Sequence, residues 1–307
     1  MRQIYHSIIT SHEEVMFRSD VDIGMFINLL ALHSYRDHVD VLVDAELSTH
    51  AHLGLFAEAP VEFMWKLRIS YDRLFNKKYG RCGRLGEKGA FLSAISGTNH
   101  ICTFFTYVGR NGLHHGLSGT AFGYPHSSAK SLFVNELGLF KPKSLIISRE
   151  EIASIIPRRY EFPDSFAMNE NGVFERTSFL STQMTEAYYG SARNYLYQMN
   201  RLSGEEWLKD QSRDGNGIPP LGLADIEPSY SVEDLLKNES GRGFRPDRPT
   251  DMEVCKLIDC DFVVRYGASS VYHLTDFQKQ SIFKELRYER HLPEAQIRRC
   301  LVLPDIH

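Results

Sequence analysis

His50 and His52 stand two residues apart in the stretch "STHAHLGLFAE". On a strand both imidazoles leave the same face, while Ala51 points to the other. Two imidazoles so placed can share one divalent ion, with geometry set by the sheet rather than by a loop. With 13 histidines in 307 residues, an H-x-H arises by chance in about every second chain of this composition, so the pair needs support from elsewhere. The stretch "TYVGRNGLHHGL" offers it, because Tyr107 and Asn111 are four apart and hence neighbours on one face of a helix. Asn111 can supply an amide oxygen to a metal and Tyr107 a phenolic nucleophile. The competing reading of Tyr107 is a half-buried aromatic in a helix that already holds Phe104 and Phe105.

Positioning these side chains requires a sheet with a helix laid beside it. "RQIYHSIIT" alternates as a first strand, and "DVDIGMFINLLALHSYRD" carries a helical apolar stripe. "HVDVLVDAEL" and "AHLGLFAE" alternate again and pair through a turn at Ser48 and Thr49. "VEFMWKLRISYDRLFNKKYG" reads as an amphipathic helix closed by Gly80, and "GAFLSAISG" as a fourth strand. "TNHICTFFTYVGRNGL" is a third helix, with Thr98 as its expected cap. The order βαββαβα predicts an α+β fold, a ferredoxin-like antiparallel sheet with helices on one face, over residues 1–140.

Residues 141–249 read as an extension and linker, with one helical stretch near "FLSTQMTEAYYGSARNYLYQMNRL" and linker composition from Asn238 to Pro249. Residues 250–307 read as helical, beginning with a T-x-x-E capping box at Thr250 and Glu253 and a T-x-x-Q variant at Thr275 and Gln278. Two helices joined by a short turn, the second carrying Arg298 and Arg299, fit a helix-turn-helix that binds DNA. A plain helical hairpin packed on the first domain fits equally.

The composition, 42% apolar and 24% charged, suits a globular chain long enough for two domains. No apolar run approaches a membrane span, the N-terminus has no signal-peptide core, and five unpaired-looking cysteines suit a reducing cytoplasm. The net charge of −4 argues against a nucleic-acid partner, but its distribution argues the other way. Between Val61 and Lys88, eight basic residues stand against three acidic ones. Lys66, Arg73, Lys77, Lys78, Arg81, Arg84 and Lys88 are therefore candidates for holding a phosphate backbone, against the alternative of a solvated helix face.

Five short stretches in order resemble the single-tyrosine HUH transposases, most closely the REP-associated tyrosine transposase group, over residues 1–133. "IYHSIIT" is similar to the family's first strand, and "VLVDAELSTHAHLGLFAE" to its histidine–hydrophobic–histidine strand. "YDRLFNKKYGRCGRLGEKGAF" resembles its Tyr-Phe-Asn, Gly-x-Leu and basic-turn segment. "FFTYVGRNGLHHGL" resembles its Tyr-Ile-x-x-Asn-Pro-Val-x-x-Gly-Leu, and "YPHSS" its Tyr-x-x-Ser-Ser ending. Where the family usually has Pro-Asn before the first histidine this chain has Ser48-Thr49, and where it has Asn-Pro after the tyrosine this chain has Asn111-Gly112.

The resemblance implies that His50, His52 and Asn111 ligate Mg²⁺ or Mn²⁺ and that Tyr107 is the nucleophile. The activity implied is a metal-dependent single-stranded DNA endonuclease and strand transferase, forming a 5′-phosphotyrosine intermediate at hairpin DNA. The basic segment would hold the DNA. The alternative is a catalytically inactive, domesticated DNA- or RNA-binding regulator on the same scaffold. A third possibility, a zinc hydrolase, needs another His, Cys or carboxylate near the pair, and Asp44 and Glu46 are the closest carboxylates. The expected partner is single-stranded or hairpin DNA and no membrane, with a homodimer left open.

Overall fold

The computed structural model describes residues 1–11, 14–86, 90–138, 156, 160–201, 205–215, 217–219, 221–222, 225 and 248–304. Its centre is an antiparallel sheet of β1 (Gln3–Thr10), β2 (Asp40–Leu47), β3 (His50–Ala57) and β4 (Phe91–Ile95), in the order β2-β3-β1-β4. Helix α1 (Asp20–Arg36) connects β1 to β2 and α2 (Pro60–Tyr79) connects β3 to β4, while α3 (Thr98–Gly109) follows β4. This is the α+β, ferredoxin-like arrangement read from the alternation of strand and helix patterns.

The layering differs from the expectation of helices on one face only. α1 and α2 do share a face, packing Phe26, Ile27, Leu30, Phe63 and Leu67 against Ile9, Ala51, Leu53 and Leu55. α3 covers the opposite face, packing Ile101, Phe104, Phe105 and Val108 with Ile4 and Ala45. The reason lies in β3, whose two faces are both buried: Ala51, Leu53, Leu55 and Ala57 alternate with His50, His52 and Gly54, and all are shielded from solvent. A strand buried on both sides needs cover on both sides. Gly54 lets α3 lie close, since a Cβ there would come 3.2 Å from the Phe104 ring and 2.6 Å from a Val43 methyl. Each fully buried Phe on α3 contributes roughly 1.5–3 kcal/mol by leaving water, enough to fix the helix on the sheet.

α2 ends as read, with Gly80 in the left-handed region at φ +63°. The start of α3 does not. Thr98 is the first helical residue rather than the cap, and the carboxylate of Asp214 accepts from the backbone N–H groups of Asn99 (3.0 Å) and His100 (2.8 Å). A cap supplied 115 residues downstream leaves no local sequence signal.

The extension is not a passive linker. The helical stretch read there is two helices, Thr182–Tyr189 and Ala192–Asn200, broken at Gly190. Tyr189, Tyr195 and Met199, with Trp207 from the helix Glu205–Gln211, join the core beneath α3. Met168 and Phe174 pack against Ala31 and Leu32 of α1. Packing therefore crosses the boundary expected at residue 140. The linker stretch from Asn238 to Asp247 lies outside the described residues.

The tail is helical, with both capping boxes formed at Thr250/Glu253 and Thr275/Gln278. The helix Asp251–Leu257 runs on through a π-turn at Ile258–Phe262, the helix Asp276–Lys284 through another at Glu285–Glu289, and Glu294–Leu301 closes the unit. It has its own apolar core, into which Val15 of the β1–α1 connection inserts. Arg18, fully buried, donates to Asp259 at 2.9 and 3.2 Å and to the Cys300 carbonyl at 2.8 Å. Arg299 is held bidentately by Asp251 (2.7 and 3.0 Å), and Arg298 bonds Glu294 and the Pro304 carbonyl. Both arginines offered for a DNA-reading helix thus serve contacts within the tail. Among the described residues no helix is long and apolar enough to cross a membrane.

Candidate active site

β3 and α3 bring three of the four proposed chemical residues to one place. His52 pairs with Ile8 and His50 with Thr10 in the β1–β3 register, so both histidines face α3. Their ring centroids are 5.0 Å apart, and the Tyr107 ring lies 5.8 Å from that of His52 at an interplanar angle of 79°. All three side chains are buried, with His50 2%, His52 0% and Tyr107 3% exposed.

The Nδ1 atoms of both histidines are engaged. His52 Nδ1 lies 3.0 Å from His6 Nε2, and His50 Nδ1 lies 3.0 Å from the Thr49 hydroxyl. Ligating histidines characteristically use one nitrogen for the metal and hydrogen-bond the other to a fixed partner. In that pattern Nε2 is the nitrogen of each ring that a metal would take. Thr49, one of the departures from the family pattern, supplies such a partner.

Asn111 is placed differently from the expectation. α3 stops at Gly109, and after Arg110 the chain starts a new short helix, α4 (Asn111–His114), so Tyr107 and Asn111 are not on one continuous helix. The other departure, Gly112, has a packing reason: a Cβ there would lie 2.2 Å from Cβ of Tyr124. The Asn111 carboxamide is fully buried, and neither its oxygen nor its nitrogen has a hydrogen-bond partner among the described residues. Burying an amide without a partner costs about 1–3 kcal/mol, which a ligand taking its oxygen would offset. Two imidazoles with oriented Nδ1 atoms and a buried amide without a partner are donor types that suit a divalent ion. Among the described residues, no three His, Cys, Asp or Glu side chains gather as a metal site.

Sequence reasoning missed His6, His114 and His115. His6 lies on the His52-facing side of β1, which strand alternation from Ile8 would have indicated. His114 stacks on Tyr107, with centroids 5.1 Å apart and planes 24° apart, and His115 lies 5.4 Å from His50. The adjacent histidines thus straddle the tyrosine and a candidate ligand. Trp207 stands 6.3 Å beyond His114 as part of the cover.

The basic candidates are only partly gathered. α2 covers the face of the sheet opposite Tyr107. Lys66 pairs with Glu62 and Asp37, Lys78 with Asp22, and Arg81 with Glu14. Arg73, Lys77 and Arg84 are exposed, and Lys88 lies outside the described residues. A cleft of about 1300 Å³ opens between the histidine end of the sheet and the tail, lined by His50, His115, Lys78, Arg248, Lys256 and Arg299 among others. Of the described basic candidates, Lys78 lines it.

Asp44 and Glu46 do not serve the histidines. They pair in register with Leu53 and Ala51, on the other face, and Arg176 bonds both at 2.6 Å. Burial and the neighbouring Asp44 push the Glu46 carboxyl well above the usual carboxylate range. This placement takes the two nearest carboxylates in the chain away from the histidine pair. No family model matches the chain, and no curated protein matches it.

Proposed function

We propose that this chain nicks and rejoins single-stranded DNA at hairpins, with Tyr107 as the nucleophile. The single observation that carries the reading is the Tyr107 ring standing 5.8 Å from His52 on the face that both histidines share. The phenol oxygen attacks phosphorus, the bond to the 3′ oxygen breaks, and the proton lost by Tyr107 is balanced by the one gained at the departing 3′-hydroxyl. The product is a 5′-phosphotyrosine link, and attack by a 3′-hydroxyl reverses it. His50, His52 and Asn111 would hold Mg²⁺ or Mn²⁺, which when bound polarises the scissile phosphate and offsets the charge that builds there. The sheet holds the two imidazoles rigidly, while α3 and the His114 stack hold the phenol.

A second reading, a DNA- or RNA-binding regulator without nuclease activity, is favoured by the burial of Tyr107, which a strand reaches only if its cover moves. One experiment separates the two. Wild-type protein with hairpin oligonucleotides and Mn²⁺ or Mg²⁺ should yield a denaturation-resistant protein–DNA species that protease removes. Tyr107→Phe, which deletes one hydroxyl and keeps the ring, should bind the same DNA and form none of it. A wild type that binds hairpins yet never forms the species, with either metal, supports the regulator.

A further inference from the structure

His6 carries no chemical role in the proposed reaction, yet it touches a candidate ligand directly. Its Nε2 lies 3.0 Å from Nδ1 of His52, both rings are fully buried, and their planes are 11° apart with centroids separated by 5.3 Å. A short nitrogen–nitrogen contact, near-coplanar rings and so long a centroid separation together describe two imidazoles joined edge to edge through a hydrogen bond. Face-to-face stacking would bring the centroids closer.

The ring of His6 is itself fixed. Phe104 of α3 packs at 4.6 Å and Phe91 of β4 at 5.6 Å. Gly54 stands opposite His6 in the β1–β3 register, and the space beside it is taken by Phe104 rather than by a side chain of its own. The first strand, the fourth strand and the tyrosine-bearing helix therefore all converge on the orientation of one imidazole.

An imidazole coordinates a metal through the nitrogen that carries no proton. With His52 Nδ1 committed to His6, coordination through Nε2 requires the proton on Nδ1. The hydrogen bond then has a fixed sense: His52 Nδ1–H donates and His6 Nε2 accepts. We propose that His6 is a positioning residue for the divalent-ion site, setting the ring plane and tautomer of His52 so that Nε2 is presented as the ligand. This rests on the metal-site reading above. It implies that the β1 histidine is needed for metal affinity although it does not touch the ion.

The test uses the full chain stripped of metal and titrated with Mn²⁺ alone. Binding is followed by electron paramagnetic resonance, and imidazole nitrogens are counted from their couplings to the ion. His6→Phe keeps an aromatic ring between Phe104 and Phe91 and removes the acceptor, while His6→Gln can return an acceptor to the place of Nε2. We expect wild type to show two coupled imidazoles. His6→Phe should bind about 10- to 100-fold more weakly with one coupling altered, and His6→Gln should recover most of the affinity. His6→Phe with wild-type affinity and both couplings overturns the inference, as does equal loss in the Phe and Gln variants. In both cases Mn²⁺ binding by wild type leaves the metal site standing. A wild type that binds no Mn²⁺ overturns the metal site and this inference together.

Discussion

At the scale of single residues, Asn111 is the most informative side chain. A fully buried carboxamide with no partner among the described residues is a standing cost in the metal-free chain. Asn111→Leu, of similar size, should therefore stabilise the metal-free protein by about 1 kcal/mol in urea unfolding while weakening Mn²⁺ binding. A variant that loses stability instead would show that the amide serves the fold. His50→Ala should weaken Mn²⁺ by at least about 100-fold, more than loss of an outer partner does, with adduct formation partly recovered at high Mn²⁺. Tyr71 and Tyr124, the other tyrosines near the family motifs, are poor substitutes for Tyr107. Each donates its hydroxyl to a backbone carbonyl, of Met16 and Glu46 respectively, and burial pushes both phenols well above their ordinary range.

At the scale of elements, α3 carries Tyr107 and is anchored at its start by Asp214. That carboxylate accepts from two backbone N–H groups, the Asn99 amide and His100, and these bonds hold its pKa down to about 2 although burial opposes them. By linkage, so depressed a value contributes at most about 2 kcal/mol of stability at neutral pH, less what solvent screens. Because the folded-state value lies below the ordinary one, the contribution is complete above about pH 5 and fades as pH falls toward 2. Asp214→Asn should be less stable than wild type by up to about that amount at pH 7, and the gap should close between pH 4 and pH 2. A gap that stays constant over that range would assign the effect to packing. The same element explains the layering: a helix rich in Phe cannot share the face already filled by α1 and α2, so it takes the histidine face.

At the scale of the whole molecule, the tail is seated on the first domain through a buried charge. Arg18 has no exposed side-chain surface, and its partner Asp259 keeps 30% exposure. Removing one member of such a pair typically costs about 3 kcal/mol or more. Arg18→Met should cost about 3 kcal/mol in global unfolding and speed amide hydrogen exchange in the helix Asp251–Leu257. In a double-mutant cycle with Asp259→Asn the two losses should fall short of adding, since both break one contact. Strict additivity would mean the pair contributes nothing jointly. Deleting the tail would also uncover Val15 and Tyr79, where Ser270 donates to the Tyr79 carbonyl. Point changes such as Lys256→Glu on the cleft wall are therefore the cleaner test of whether this unit binds hairpin DNA.

What is local could be read from the chain alone. Alternation in β1 to β4, the apolar stripes of α1 to α3, Gly80 at a helix end and both threonine capping boxes are set by backbone and neighbouring side chains, and all were legible. The period of two in β3 put His50 and His52 on one face, whatever covers it. Which layer forms that cover follows from packing, because residues buried on both sides of β3 give no sign of which helix lies on which face. Packing also decided that Asn111 begins a new helix under Tyr124, that His6 and His114 close around His52 and Tyr107, and that Asp214 caps α3 from 115 residues away. The His6–His52 and Asp214–α3 contacts join residues far apart in the chain, and the others depend on how α4 folds back. Their energy depends on distances that the packed sheet and helices set, and of them spacing marks only that His6 and Ile8 share a face of β1.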